Sequence, residues 1–147
     1  ERNWEKIKRA ERDQKGVQKS PVDGIPKELP ALTHAQLLQD RVGHAGFEWE
    51  EVSGVLDKLV EEVEELRQAA SHEEKVLELG DVFFVLVNLA RWLDIHAEDA
   101  LRQANRRFAT RYRRMEELAA GRGLDFAALP LAEKETFWQE AKGMEKG

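Results

Sequence analysis

A chain of 147 residues has room for one core of its own. Its composition, 35% charged and 41% hydrophobic with only 4 prolines, suits an all-helical domain. The lack of cysteine excludes disulfides and thiolate metal sites, and with no signal peptide in view a reducing cytoplasm is the expected location. A net charge of −6 argues against a nucleic-acid binder, and the longest apolar run, residues 82–93 interrupted by Asn88, is too short to span a bilayer.

Residues 1–32 read as an arm or linker, with an amphipathic stretch around Trp4, Ile7 and Lys8 and then a segment, 20–30, punctuated by proline and glycine. Residues 33–147 read as one helical domain. Thr33 with Gln36 makes a capping-box pattern that opens a helix through Leu37, Leu38 and Val42, with Gly43 and Gly46 ending it. A first acidic helix is expected over about 51–70, and a second, capped by Ser71, runs to about Leu93. A third, about 97–120, carries Leu101, Ala104, Phe108, Tyr112 and Met115 on one face and stops at Gly121 and Gly123. After Pro130 a short helix over 131–142 bears Phe137 and Trp138.

Two pairs of acids stand out, Glu62 with Glu65 and Glu78 with Asp81. Each pair lies three residues apart, so each falls on one helix face, and two facing helices would turn four carboxylates towards one point. At ~100° per residue, Val52, Val55, Leu56, Leu59, Val63 and Leu66 form an apolar stripe. Glu62 and Glu65 edge that stripe beside Lys58, while Glu61 and Glu64 fall on the far side as solvated charge. The second acidic helix is apolar almost all round from Val82 to Leu93 and reads as enclosed by neighbours. Its polar exceptions, Glu78, Asp81 and Asn88, share a face. Four inward carboxylates suit a hard divalent cation, and a hard cation works productively beside phosphate. Asn88 reads equally as a satisfied core amide or a site residue.

Arg107, Arg111 and Arg114 line one flank of the third helix. Arginine's planar fork suits phosphate, yet by spacing alone a solvated basic face is the better reading. Trp138 is suited to stacking on a nucleobase, though packing is the commoner use.

The stretches GFEWEEVSGVLDKLVEEVEEL, ELGDVFFVLVNLAR and ANRRFATRYRRMEELAAGRG, with DGIPKELPAL upstream and TFWQEAK downstream, closely resemble the MazG family of nucleoside triphosphate pyrophosphohydrolases. The likeness is to the C-terminal, catalytic half of a two-domain protein, and a start at Glu1 without methionine is consistent with a piece of a longer chain. The family's ExxE, spacer, ExxD pattern falls on Glu62, Glu65, Glu78 and Asp81. The resemblance implies an all-α bundle, a homodimer, and Mg²⁺-dependent hydrolysis of nucleoside triphosphates to monophosphate and pyrophosphate, as nucleotide-pool house-cleaning. Mn²⁺ is expected to substitute.

By the same resemblance Arg107 and Arg111 face the phosphates and Trp138 lies near the nucleotide, while Lys58, beside the acids of its helix, and Asn88, on the face of Glu78 and Asp81, read from helix geometry as further substrate contacts. Arg107 stands where some members have lysine. A basic residue that some members carry just before ExxD has no match in register, because Glu74 falls there and Lys75 lies off that face. Either Glu61 or Glu62 is the candidate to take the attacking water's proton. A di-iron bundle would need Glu-x-x-His, which none of His34, His44, His72 and His96 completes. A non-catalytic bundle that binds nucleotide or a protein partner is the remaining alternative.

Overall fold

A computed structural model of the chain describes residues 4–8 and 20–145, so the parts of the expected arm at 1–3 and 9–19 lie outside the described residues. The helices are α1, Ala31–His44; α2, Val52–Gln68; α3, His72–Trp92; α4, Ala97–Gly121; and α5, Leu131–Met144, with a 3-10 turn at Phe126–Ala128 before the last. Residues 4–8 are also helical, and no strand occurs among the described residues. The expected all-α class is therefore the observed one. The chain divides into two compact units, Glu1–Glu98 and Asp99–Gly147.

In the first unit α1 and α2 both pack on α3. Val55 of α2 and Val82, Val85 and Val87 of α3 are buried there. Ser71 caps α3 as expected, its Oγ accepting from Glu74 N at 3.1 Å. Glu74 Oε2 accepts in turn from Ala70 N at 3.1 Å. Glu74 thus serves to start the helix, a role worth about 1 kcal/mol for such caps. The expected box at Thr33 and Gln36 does not form, because the cap position falls three residues earlier at Pro30, whose side chain offers no cap bond. Pro30 has φ −52° and ψ 143°, outside the helical range, so helical backbone begins at Ala31. Gln36 is used elsewhere, its Nε2 donating to Ile95 O and its Oε1 accepting from Ala97 N, both at 2.9 Å.

Gly43 does not end α1, which continues to His44, while Gly46 lies just beyond with φ +104°. A side chain at 43 would press on the ends of Arg91 and Glu48. A Cβ there would lie 2.6 Å from Arg91 Nη2 and 2.7 Å from Glu48 Oε2.

α3 is not enclosed in the way its composition suggests. Leu79, Phe83, Leu86 and Leu93 are each 41–55% exposed. At ~100° per residue they form one stripe, turned away from the face that carries Asp81 and Asn88. Two neighbours cover only part of a helix that is apolar all round.

In the second unit Met115 and Ala119 of α4 meet Phe137 and Ala141 of α5 across Phe126. Phe126 packs edge-on against Tyr112, with centroids 5.4 Å apart, and against Phe137 at 6.1 Å. The 3-10 turn, absent from the sequence reading, exists to deliver that ring to the core.

Candidate active site

Glu62 is the centre of the acidic site. It is 5% exposed on α2, and its carboxylate belongs to two groups whose oxygens all lie within 4.8 Å of one another. One group is Glu62 with Glu78 and Asp81, bringing α2 and α3 together; the other is Glu62 with Glu61 and Glu65. The four acids of the ExxE and ExxD pairs therefore converge as their helical spacing predicts. Glu61 corrects the reading of it as ordinary solvated charge. Its side chain is 56% exposed, as its helix position requires, yet its length lets it bend along the turn to Lys58 and join the group.

Lys58 is the cation of this cluster. Its Nζ lies 3.0 Å from Glu62 Oε1 and 3.3 Å from Glu61 Oε1. Glu62 and then Glu61 hold its pKa above the ordinary lysine value, so it stays charged. One cation against five carboxylates leaves the site strongly negative. Glu65 shows the strain: hydrogen bonding towards Glu78, then repulsion from Glu62, raises its carboxyl above the usual range.

Two carboxylate oxygens, Glu62 Oε2 and Glu78 Oε2, are buried without a hydrogen-bond partner. Buried anionic oxygens carry a large desolvation cost unless something positive meets them. An oxygen-only donor set with orphaned, converging lone pairs fits a hard divalent cation, so these acids are able to hold a metal.

A cavity of about 620 Å³ lies in the same unit, bounded by α1, α3, the Gly46–Trp49 segment and Lys58. Lys58 thus touches both the acid cluster and the cavity wall. Asn88 lines the cavity too, and so does Arg91, a residue the sequence reading did not select. Arg91 Nε donates to Asp40 Oδ1 at 2.7 Å, Nη1 to Asn88 Oδ1 at 2.7 Å, and Nη2 to Glu48 Oε2. Burial opposes its charge, but Glu48 and Asp40 outweigh this and raise its pKa, and Arg91 in turn holds the Glu48 carboxyl below its ordinary value. The signal in the sequence was a lone arginine at the end of an apolar helix, three residues after Asn88, where the two side chains share a face.

In the second unit Arg111 and Trp138 come together, the guanidinium 4.5 Å from the ring centroid. The Arg111 fork is engaged by Glu145, Nε to Oε1 at 2.8 Å and Nη2 to Oε2 at 2.7 Å. Glu145 is held below its ordinary pKa by Arg111 first, with Arg114 and Arg107 adding to the field. Three arginines therefore bear on one carboxylate, which marks the flank as able to bind an anion. Arg107 is exposed, and Trp138 is half-buried against the core of this unit.

Residues 34–108 match the family described as phosphoribosyl-ATP pyrophosphohydrolase. The chain is 44% identical to the nucleoside triphosphate pyrophosphohydrolase of Escherichia coli (strain K12), over 97% of this chain and 56% of that protein. It is 38% identical to the nucleoside triphosphate pyrophosphohydrolase/pyrophosphatase MazG of Thermotoga maritima, over 97% of this chain and 55% of that protein. To the uncharacterized protein YabN of Bacillus subtilis (strain 168) it is 39% identical, over 98% of this chain and 30% of that protein. The chain thus spans about half the length, or less, of the curated relatives it matches. With the family match covering half the chain and the ExxE and ExxD acids converging, the chain belongs to the phosphoribosyl-ATP pyrophosphohydrolase family as a MazG-like domain.

Proposed function

We propose that the chain hydrolyses nucleoside triphosphates to the monophosphate and pyrophosphate, using Mg²⁺, with Mn²⁺ as a substitute, held by Glu62, Glu65, Glu78 and Asp81. The observation that carries this reading is the pair of orphaned buried oxygens, Glu62 Oε2 and Glu78 Oε2, within a cluster of five acids. The names of the Escherichia coli and Thermotoga maritima relatives point the same way. Bound there, the ion supplies polarisation of the α-phosphorus and a water made acidic enough to lose a proton near neutral pH. Glu62 is engaged in both acid groups, so Glu61, exposed and partnered by Lys58, is the carboxylate left to take that proton. Lys58, with Arg107 and Arg111, offsets charge on the departing pyrophosphate. Asn88 and Trp138 contact the nucleoside. Residues 33–147 form the catalytic region and 1–32 an arm.

No helix among the described residues is long and apolar enough to cross a membrane. The proposed setting is the cytoplasm, with a nucleotide rather than nucleic acid as partner. Incubating the full chain with a triphosphate and Mg²⁺ should release pyrophosphate and nucleoside monophosphate in equal amounts. Orthophosphate as the product would rule out cleavage at the α-phosphorus, and binding without turnover would leave a nucleotide-binding bundle.

The proposed assembly is a homodimer. The Leu79, Phe83, Leu86 and Leu93 stripe, with Val60 of α2 70% exposed and Leu77 68% exposed on the other side of α3, leaves more apolar surface open than a lone chain of this size should keep. Sedimentation at micromolar concentration is expected to give twice the chain mass, and a stable, active monomer would refute the dimer.

A further inference from the structure

Asn88 is fixed in one orientation by a network that nothing in the acid site requires. Its Oδ1 accepts from Arg91 Nη1 at 2.7 Å, and Arg91 is itself tied to Asp40 and Glu48. A guanidinium only donates, so the amide oxygen must face it and the NH₂ must be the other end. Asn88 lines the 620 Å³ cavity, and that volume lies in the range of small-molecule sites. Trp49 and Phe84 offer ring surface in the same wall. Trp49 is seated over Gly54, where a Cβ would sit 3.1 Å from its ring, and is 46% exposed, so one face is placed and the remainder is free. Lys58 forms part of the wall and touches Glu62 of the acid cluster. The cavity therefore adjoins the place where the phosphates are to be cleaved.

Gln39 adds a second polar group of the opposite kind. It is 5% exposed and lines the cavity; its Nε2 donates to Phe84 O at 2.8 Å, leaving Oε1 buried and without a partner. A carbonyl only accepts, so the amide nitrogen is again assigned by its partner. That oxygen is itself closed to solvent and meets no occupant, which leaves the Asn88 NH₂ as the donor that faces a base edge. A donor there is complementary to an edge that carries a carbonyl.

We infer that this cavity receives the nucleobase and that Asn88, held NH₂-outward by Arg91, selects bases bearing a carbonyl rather than an amino group on that edge. The inference rests on the triphosphate reading above. Uracil and hypoxanthine present the carbonyl and ring N–H; cytosine and adenine present an amino group and a bare ring nitrogen. Against Asn88 an amino group sets donor on donor, and neither finds a partner once water is excluded. Arg91 acts through Asn88 and is a positioning residue.

The test is kcat/KM for UTP against CTP and for ITP against ATP, measured as pyrophosphate release by the full chain. The unsubstituted chain should favour the carbonyl member of each pair by roughly tenfold or more, since a site built to hydrogen-bond one group leaves its polar atoms unpaired with the other. Asn88→Asp replaces the donor by an acceptor and should reverse the preference. Asn88→Ala should bring both ratios close to one, and it decides the matter if the aspartate variant does not fold. Arg91→Met, with the amide free to turn over, should also narrow the ratios, which a purely structural arginine would leave unchanged. Ratios near one in the unsubstituted chain, or ratios that no Asn88 variant moves, would overturn the inference while leaving the hydrolase reading intact. Pyrophosphate from no nucleotide at all would overturn both.

Discussion

Glu62→Gln, Glu65→Gln, Glu78→Gln and Asp81→Asn are each expected to lower pyrophosphate release to roughly a thousandth of the starting rate or less, because each removes a charge that holds the metal against the phosphates. Circular dichroism should show the helices intact. Stability without metal should move the other way, because the acids repel one another when no cation lies among them. Glu65 is the clearest case, its carboxyl raised by hydrogen bonding towards Glu78 and by repulsion from Glu62. For an acid with a raised folded pKa, the folded state binds more protons than the unfolded one, so stability falls as pH rises through that value. Glu65→Gln should flatten that slope. Mg²⁺ at about a hundred times its Kd should raise Tm at neutral pH by roughly 5–10 °C for a chain of this length. The gain should shrink at acid pH, where protons compete, and should be lost in the four variants. Glu64 instead accepts from Gln68 Nε2 at 3.1 Å on the exposed side of α2, and Glu64→Gln should be mild. Near-normal turnover in any two of the four variants would remove the acid cage from the mechanism.

The acid pairs were legible because helical periodicity is local, so a spacing of three fixes which side chains share a face before any packing is known. The same arithmetic put Glu61 on the wrong footing, since it places Cα positions and says nothing of where a long side chain bends when Lys58 lies three residues back. Arg91 was missed for a different reason. Its partners Asp40, Glu48 and Asn88 lie on two helices and a loop, and a hub of that kind exists only after α1 has packed on α3. The start of α1 was misplaced because Thr33 and Gln36 satisfy a capping pattern, while Gln36 has a stronger use in joining the end of α3 to Ala97. The 3-10 turn was invisible in a three-residue segment too short to show any period.

Removing one guanidinium from the basic flank should separate binding from chemistry. As the bond to the α-phosphorus breaks, charge builds on the leaving pyrophosphate, so a contact from Arg107 or Arg111 strengthens in the transition state. Its loss should lower kcat as well as raise KM, with roughly thirty- to a thousand-fold lost in kcat/KM. Arg113 is exposed elsewhere on the helix, and Arg113→Ala should stay within a few-fold. The structure adds a competitor. Glu145 occupies both arms of the Arg111 fork, so a phosphate that uses this arginine must displace a carboxylate whose low pKa keeps it charged at neutral pH. Glu145→Gln should therefore weaken the competitor and lower KM, while Arg111→Ala should abolish any benefit of that change in the double variant. Lowering the pH weakens the same pair from the other side: with its folded pKa depressed, Glu145 keeps the bridge above its unfolded value and releases it as pH falls through the folded one. Steady-state kinetics of the Arg107→Ala, Arg111→Ala, Arg113→Ala and Glu145→Gln variants on one triphosphate, with circular dichroism to confirm folding, make the comparison. Equal, small effects in all three arginine variants would mean that the flank is only a solvated face, with Glu145 its structural counter-ion.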